Sequence, residues 1–274
     1  MVKIGANDNS FNLISINVDA ESINNLPLAQ IANALFNKVF SKPIEYQIVR
    51  KAELKKLEKD ANKYFNQTPD QYRDNSKLGL TLKTIEDSQY QLSSDDLREM
   101  FARLIVKTMD SRFNTEIPPA FSDILKNLSI DEAALCKSIF SLEHNVLPLF
   151  EIKLSNYESF SPMDLLTDNS AFEIPINDTY LIWSNKVEEI DKLTISLLGR
   201  SGIIEDAFYF NESHAPGLPQ AEKIKQTEHF HLIARNFQNF GDSFSKDEPK
   251  IVLKERYVRF TPLGKKLMDL CLKD

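Results

Sequence analysis

The sequence predicts a mainly α-helical chain with a small β component, an α+β protein whose helices come first. Two observations point there. Only seven glycines occur in 274 residues, none of them between Gly79 and Gly199, while Leu, Lys, Glu and Asn are abundant; few glycines and many good helix formers favour helix. Apolar residues recur at helical spacing up to about residue 140, then switch to alternation from Phe150, the period of a half-buried strand.

The elements follow in order. Residues 1–20 are Asn-rich without periodicity and read as an irregular N-terminal arm. From Leu28, the residues Ile31, Leu35, Val39 and Phe40 mark a helix. A longer one is expected from Pro43 to Phe65, its apolar stripe formed by Ile44, Ile48, Leu54, Leu57, Ala61 and Tyr64 with Phe65. The many lysines on it sit among Glu53, Glu58 and Asp60, the composition of a solvated helix carrying ion pairs. Residues 66–80 suit a loop and then a short helix. Ser93-Ser94-Asp95-Asp96 offers an N-cap to LREMFARLIVKTMD, which places Leu97, Phe101, Leu104, Ile105 and Thr108 on one face, flanked by Met100 and Met109. Pro118-Pro119 restarts the chain into a helix burying Phe121, Ile124, Leu125 and Leu128. Ser129 and Glu132 form a capping box for a helix holding Leu135, Cys136 and Ile139.

Strand follows at Phe150, Ile152 and Leu154, with another around Phe172, Ile174 and Ile176. A helix after Trp183 is expected to bury Val187, Ile190, Thr194, Leu197 and Leu198, with Gly202 as its left-handed C-terminal residue. Ile203-Ile204 and Ala207 to Phe210 read as extended, then a helix over about Ala221 to Phe237, then strand from Ile251 to Phe260. Phe208 and Phe210 are expected to pair with Val258 and Phe260 in an antiparallel hairpin. Thr261-Pro262 caps a last helix burying Leu263, Leu267, Leu270 and Cys271. From Ser129 the order helix, strand, helix, strand, strand, helix is that of a winged-helix-like domain. The organisation expected is therefore an arm at 1–20, a helical domain at 21–128, and a winged-helix-like domain at 129–274 with a long insertion at about 214–250.

Composition excludes several classes. At 42% hydrophobic and 27% charged the chain is ordinary for a soluble globular protein. No apolar run reaches the ~18–20 residues of a membrane helix, and the start lacks a secretory leader pattern. Cys136 and Cys271 are the only cysteines, too few for a disulfide framework or a cysteine-based zinc site. The expected location is cytoplasmic. The one close glycine pair, in LLGRSGIIED, lacks the further glycine and lysine of a phosphate loop. Charge is uneven: net +2 over 1–66, −13 over 67–249 and +4 over 250–274. An acidic centre repels phosphate backbones, so nucleic acid would have to use the ends.

The candidate chemistry is thin. His229 and His231 are the metal candidates, but on a helix i,i+2 imidazoles diverge, so no metal and no cofactor are expected. The carboxylate pairs Asp95/Asp96, Asp131/Glu132 and Glu188/Glu189 fall at expected helix starts, where capping and the helix dipole explain them. No nucleophile elbow occurs, no catalytic residues are assigned, and the chain is not expected to be an enzyme. The helix that would read DNA carries Lys186, Lys192 and Arg200 against Glu188, Glu189 and Asp191, a net of zero. The basic cluster Lys254, Arg256, Arg259, Lys265 and Lys266 is where a nucleic-acid contact would fall.

Residues Leu97 to Ala102, Leu104, Met109 and Asp110, then Pro119, Phe121, Ile124, Leu125, Leu128, Ser129, Asp131, Ala133 and Leu135, form a pattern that resembles the Abi-alpha family of bacterial abortive infection proteins. Gly202-Ile203-Ile204 and Thr261-Pro262-Leu263-Gly264 extend it, so the resemblance covers about 43–274. The sequence departs from the pattern at Pro118, where the family has His, and in its long insertion. The family-motif core is Leu97, Phe101, Leu104, Pro119, Phe121, Leu125 and Leu128. The resemblance implies a phage-defence role but carries no catalytic residue. Taken with the missing signatures, it implies action through protein contacts. The partner expected is an unidentified protein, or a second copy in a homo-oligomer, with no specific DNA and no membrane insertion. The alternative is a winged-helix DNA-binding transcriptional regulator. An enzyme whose residues meet only in the fold is the third class.

Overall fold

The computed structural model describes residues 47–142, 144–155, 173–207, 218–238 and 250–273. The arm at 1–20, the helix from Leu28, and Pro43, Ile44, Phe172, Phe208 and Phe210 therefore lie outside the described residues. The chain forms two compact units, one of Met1–Ala134 with Lys266–Asp274 and one of Leu135–Lys265.

The first unit is built from helices α1 (Gln47–Gln67), α2 (Leu78–Ser88), α3 (Asp95–Thr108) and α4 (Ala120–Asn127), with the start of α5 (Ile130–Ser141). Leu57, Ala61 and Phe65 form the buried stripe of α1, as the spacing predicts. On α3, Leu97, Met100, Phe101, Leu104 and Ile105 are at most 1% exposed, and α4 buries Phe121 and Leu125. Burial of these large apolar groups is the main favourable term in the unit. The expected caps are present. Ser94 Oγ accepts the Leu97 amide at 3.3 Å. Ser129 and Glu132 exchange bonds, the Ser129 amide donating to Glu132 Oε2 at 2.7 Å and the Glu132 amide to Ser129 Oγ at 3.2 Å.

The second unit carries a sheet of β1 (Val146–Ser155), β2 (Glu173–Pro175), β3 (Thr179–Trp183), β4 (Val187–Asp191), β5 (Ile204–Ala207) and β6 (Lys250–Phe260). Its order is β4-β3-β1-β6-β5, with β2 also on β1. β1 runs antiparallel to β6 from Val146 opposite Arg259 to Ser155 opposite Lys250. Helix α6 (Lys192–Arg200) lies between β4 and β5, and α7 (Leu218–Lys225) and α8 (Glu228–Gln238) between β5 and β6. Helix α9 (Pro262–Leu272) ends the chain, its residues from Lys266 belonging to the first unit. Within the expected insertion, Ala221 and Ile224 of α7 pack with Phe150 and Ile152 of β1 and Leu181 of β3. That part of the insertion is sheet core, since a sheet face without a cover would leave those side chains in water.

The α+β class holds, and four local expectations need correction or sharpening. Val187–Asp191 is strand rather than helix: Asn185, at φ 76°, turns the chain back so that Trp183 pairs with Val187 and Thr179 with Asp191. The helix starts only at Lys192, behind Asp191, whose carboxylate accepts the Leu193 amide at 2.8 Å. It buries Ile195 and Leu198, leaves Leu193 and Leu197 exposed, and holds Lys192 and Arg200 with no acid. Its end is as expected. Gly202 at φ 72° closes a Schellman motif in which the Ile203 amide donates to the Leu198 carbonyl and the Gly202 amide to Gly199. The single helix expected over Ala221 to Phe237 is two, because Thr227 Oγ1 accepts the Phe230 amide and starts a new one. In the hairpin of β5 with β6, Asp206 faces Val258 and Ile204 faces Phe260. On α9, Leu263 is 41% exposed instead of buried. Gly264 takes the inward place, where a Cβ would come within 2.0 Å of the Ile203 carbonyl oxygen.

Candidate functional site

The polar flank of α3 carries two cation clusters of different character. Near its N-terminus Arg98, 7% exposed, donates to Glu53 at 2.9 Å, Asp60 at 3.4 Å, Asp95 at 2.6 Å and the Leu92 carbonyl at 3.2 Å. The guanidinium ties α1 to α3, and its bond to Asp95 holds that carboxyl below the usual range.

From the next residue on, Glu99, Arg103 and Lys107 follow at i,i+4 spacing. Arg103 lies 4.3 Å from the centre of the Tyr64 ring and donates to Glu99 at 3.2 Å and to the Lys273 carbonyl at 3.2 Å. Tyr64 donates to Glu99 at 2.7 Å, and burial followed by that bond pushes its hydroxyl up to about 12. The chain after α3 is positioned by residues 70–74. Asp74 donates its amide to the Met109 carbonyl, Ser111 donates to Tyr72, and Arg73 bridges to Asp110. This pairing sets Arg112 over the Tyr72 ring at 4.5 Å. Arg112 also holds both oxygens of Asp110, 1% exposed, at 2.9 and 2.6 Å.

Tyr64, Arg103, Lys107, Arg112, Phe113 and Lys273 line a cavity of about 240 Å³. Lys107 is the odd member. Its ammonium lies 4.1 Å from the Phe113 ring centre. Burial pushes its pKa down, Asp110 opposes the fall, and Arg112 and Arg103 add to it.

The residues singled out from sequence lie elsewhere or in the core. Leu97, Phe101, Leu104, Phe121, Leu125 and Leu128 are all buried, and Pro119 precedes α4. His229 and His231 are on α8, with His229 Nε2 3.0 Å from Glu189 and His231 exposed. No group of three metal-ligating side chains forms among the described residues. On β6, Arg256 pairs with Asp206 at 2.7 Å and Arg259 with Glu205 at 2.9 Å, while Lys254 stands opposite Glu151 on β1. Lys265 and Lys266 are exposed on α9, Lys266 pairing with Glu116 at 3.0 Å. The cavity has no compact signal in the sequence: the Glu99-Arg103-Lys107 stripe is its one local trace, whereas Tyr64, Phe113 and Lys273 come from distant stretches of chain.

The family model described as Abortive infection alpha matches residues 49–271. No curated protein matches the chain. Among solved structures it is similar to an uncharacterized protein from the hydrocarbon-degrading marine bacterium Alcanivorax borkumensis SK2. That match has 17% identity over 57% of this chain and 96% of the other, with a TM-score of 0.29. No described helix is long and apolar enough to cross a membrane.

Proposed function

The chain belongs to the abortive infection alpha family, and from that premise we propose that it limits phage spread from within the cytoplasm by binding a protein, without catalysis. The observation that carries the reading is the family match over residues 49–271. The contact mode is supported by the second unit, where α6 is followed by β5 and, beyond α7 and α8, by β6. The outward side chains of α6 include Leu193 and Leu197, 59% and 37% exposed. Base readers are polar, and phosphate contacts need unpaired cations. Here Arg256 and Arg259 already face Asp206 and Glu205 across the strands. These features favour a protein partner over DNA.

Expression from a plasmid in a phage-sensitive host tests the role. The culture should survive at a low phage-to-cell ratio and collapse at a high one, releasing few progeny. Normal phage yield across a broad panel would overturn defence. Survival of individual infected cells at high ratio would keep defence and remove the abortive mechanism. A gel shift showing sequence-specific binding with a steep salt slope would instead support the regulator.

A further inference from the structure

We propose that the cavity at the C-terminal end of α3 binds a compact phosphate, either free or as the end of a small phosphate ester, with Lys107, Arg103 and Arg112 as its cations. The inference is independent of the defence reading.

Charge supports it first. Among the described residues, Arg103, Lys107, Arg112 and Lys273 line the cavity against a single acid, Asp110. Both oxygens of that acid are engaged by Arg112. Lys107 supports it second. Its ammonium is partly buried over Phe113, feels the charge of the Arg112 and Arg103 guanidiniums, and no described carboxylate lies within ion-pair distance of it. An ammonium drawn out of water without a counter-charge is a cost to the fold. The fall in its pKa, caused first by burial, has the same origin. A bound dianion would repay that cost and relieve the repulsion among the cations.

Preorganisation and size come third. Glu99, the Tyr64 ring and the Lys273 carbonyl hold Arg103, while Asp110 and the Tyr72 ring hold Arg112. A ligand would therefore not have to order those side chains. At about 240 Å³ the cavity is below the range of drug-sized ligand sites and suits a small anion. Arginine forks and a lysine point charge are the usual partners of phosphate oxygens.

The test uses the full chain at constant ionic strength, titrated calorimetrically with inorganic phosphate, adenosine monophosphate, phosphoserine and acetate. Saturable phosphate binding is expected, weakened about tenfold or more by Lys107→Met. Lys107→Arg should keep it, as should Lys55→Met, which changes an exposed α1 residue that does not line the cavity. Lys107→Gln serves as a second neutral variant should the methionine one fail to fold. Tighter binding of either ester than of phosphate would assign the ester end; tighter phosphate would assign the free ion. No saturable binding of any phosphate, acetate binding as tight as phosphate, or neutral Lys107 variants binding like the wild type would each overturn the proposal.

Discussion

The two ends of α3 treat a cation differently, buried at Arg98 and half-buried at Lys107. At Arg98 the guanidinium is enclosed and answered by Glu53, Asp60 and Asp95, so its charge serves the fold. At Lys107 the ammonium has aromatic and cationic neighbours but no paired carboxylate among the described residues. The helix is one and the chemistry is two. A paired buried charge indicates architecture, whereas an unpaired one beside a cavity indicates something to be bound.

The largest expected effect lies between the two ends. Phe101, fully buried on the apolar face of α3, should cost about 3–5 kcal/mol as Phe101→Ala in denaturant unfolding. A loss below about 1 kcal/mol would show that the face common to both ends is misassigned. Arg98→Ala comes next, at about 2–3 kcal/mol, because Glu53 and Asp60 lose a charged donor and the Leu92 carbonyl its partner. A variant as stable as the wild type would erase the contrast.

Acid and base should act on opposite ends. The Asp95 pKa is lowered in the folded state, chiefly by its bond to Arg98. Its stabilising contribution is therefore present above the unfolded value of about 3.9 and is lost as pH falls below it. The Lys107 pKa is also lowered, but for a cation this has the reverse meaning. Between the folded pKa and the unfolded value of about 10.4 the unfolded chain binds more protons, so stability gains with rising pH there. Unfolding of wild type and Lys107→Met across alkaline pH should show their difference shrinking as pH rises. A constant difference would place the lysine in an ordinary surface setting. The smallest effect is Lys107→Met itself near neutrality, a gain of about 0.5 kcal/mol, seen as a higher Tm without ligand. A lower Tm would mean that the ammonium over Phe113 serves packing.

The helical unit was legible because its signals are local. Spacing alone placed Leu57, Ala61 and Phe65 on one stripe of α1 and Leu97, Phe101 and Leu104 on one face of α3, and Ser94 and Ser129 announced their helices. The β1 alternation and the left-handed Gly202 were readable for the same reason. What failed was non-local. Val187–Asp191 carries a helix-like pattern, yet each of its residues finds a partner on β3 across the Asn185 turn, and that pairing outweighed propensity. Leu263 points outward because Gly264 must meet the Ile203 backbone, a neighbour 61 residues earlier in the chain.

By itself, then, the sequence determined where most helices begin, which faces they bury, that the chain is α+β, and the family pattern centred on α3. Those properties depend on residues within a turn or two of one another, where capping and periodicity act. Only the tertiary structure decided the strand order, the outward turn of Leu263, and which cations are answered. Arg98 and Lys107 look alike on one helix; their difference comes from what α1, the 70–74 segment and Phe113 bring to them, and charge energetics depend on such neighbours in space.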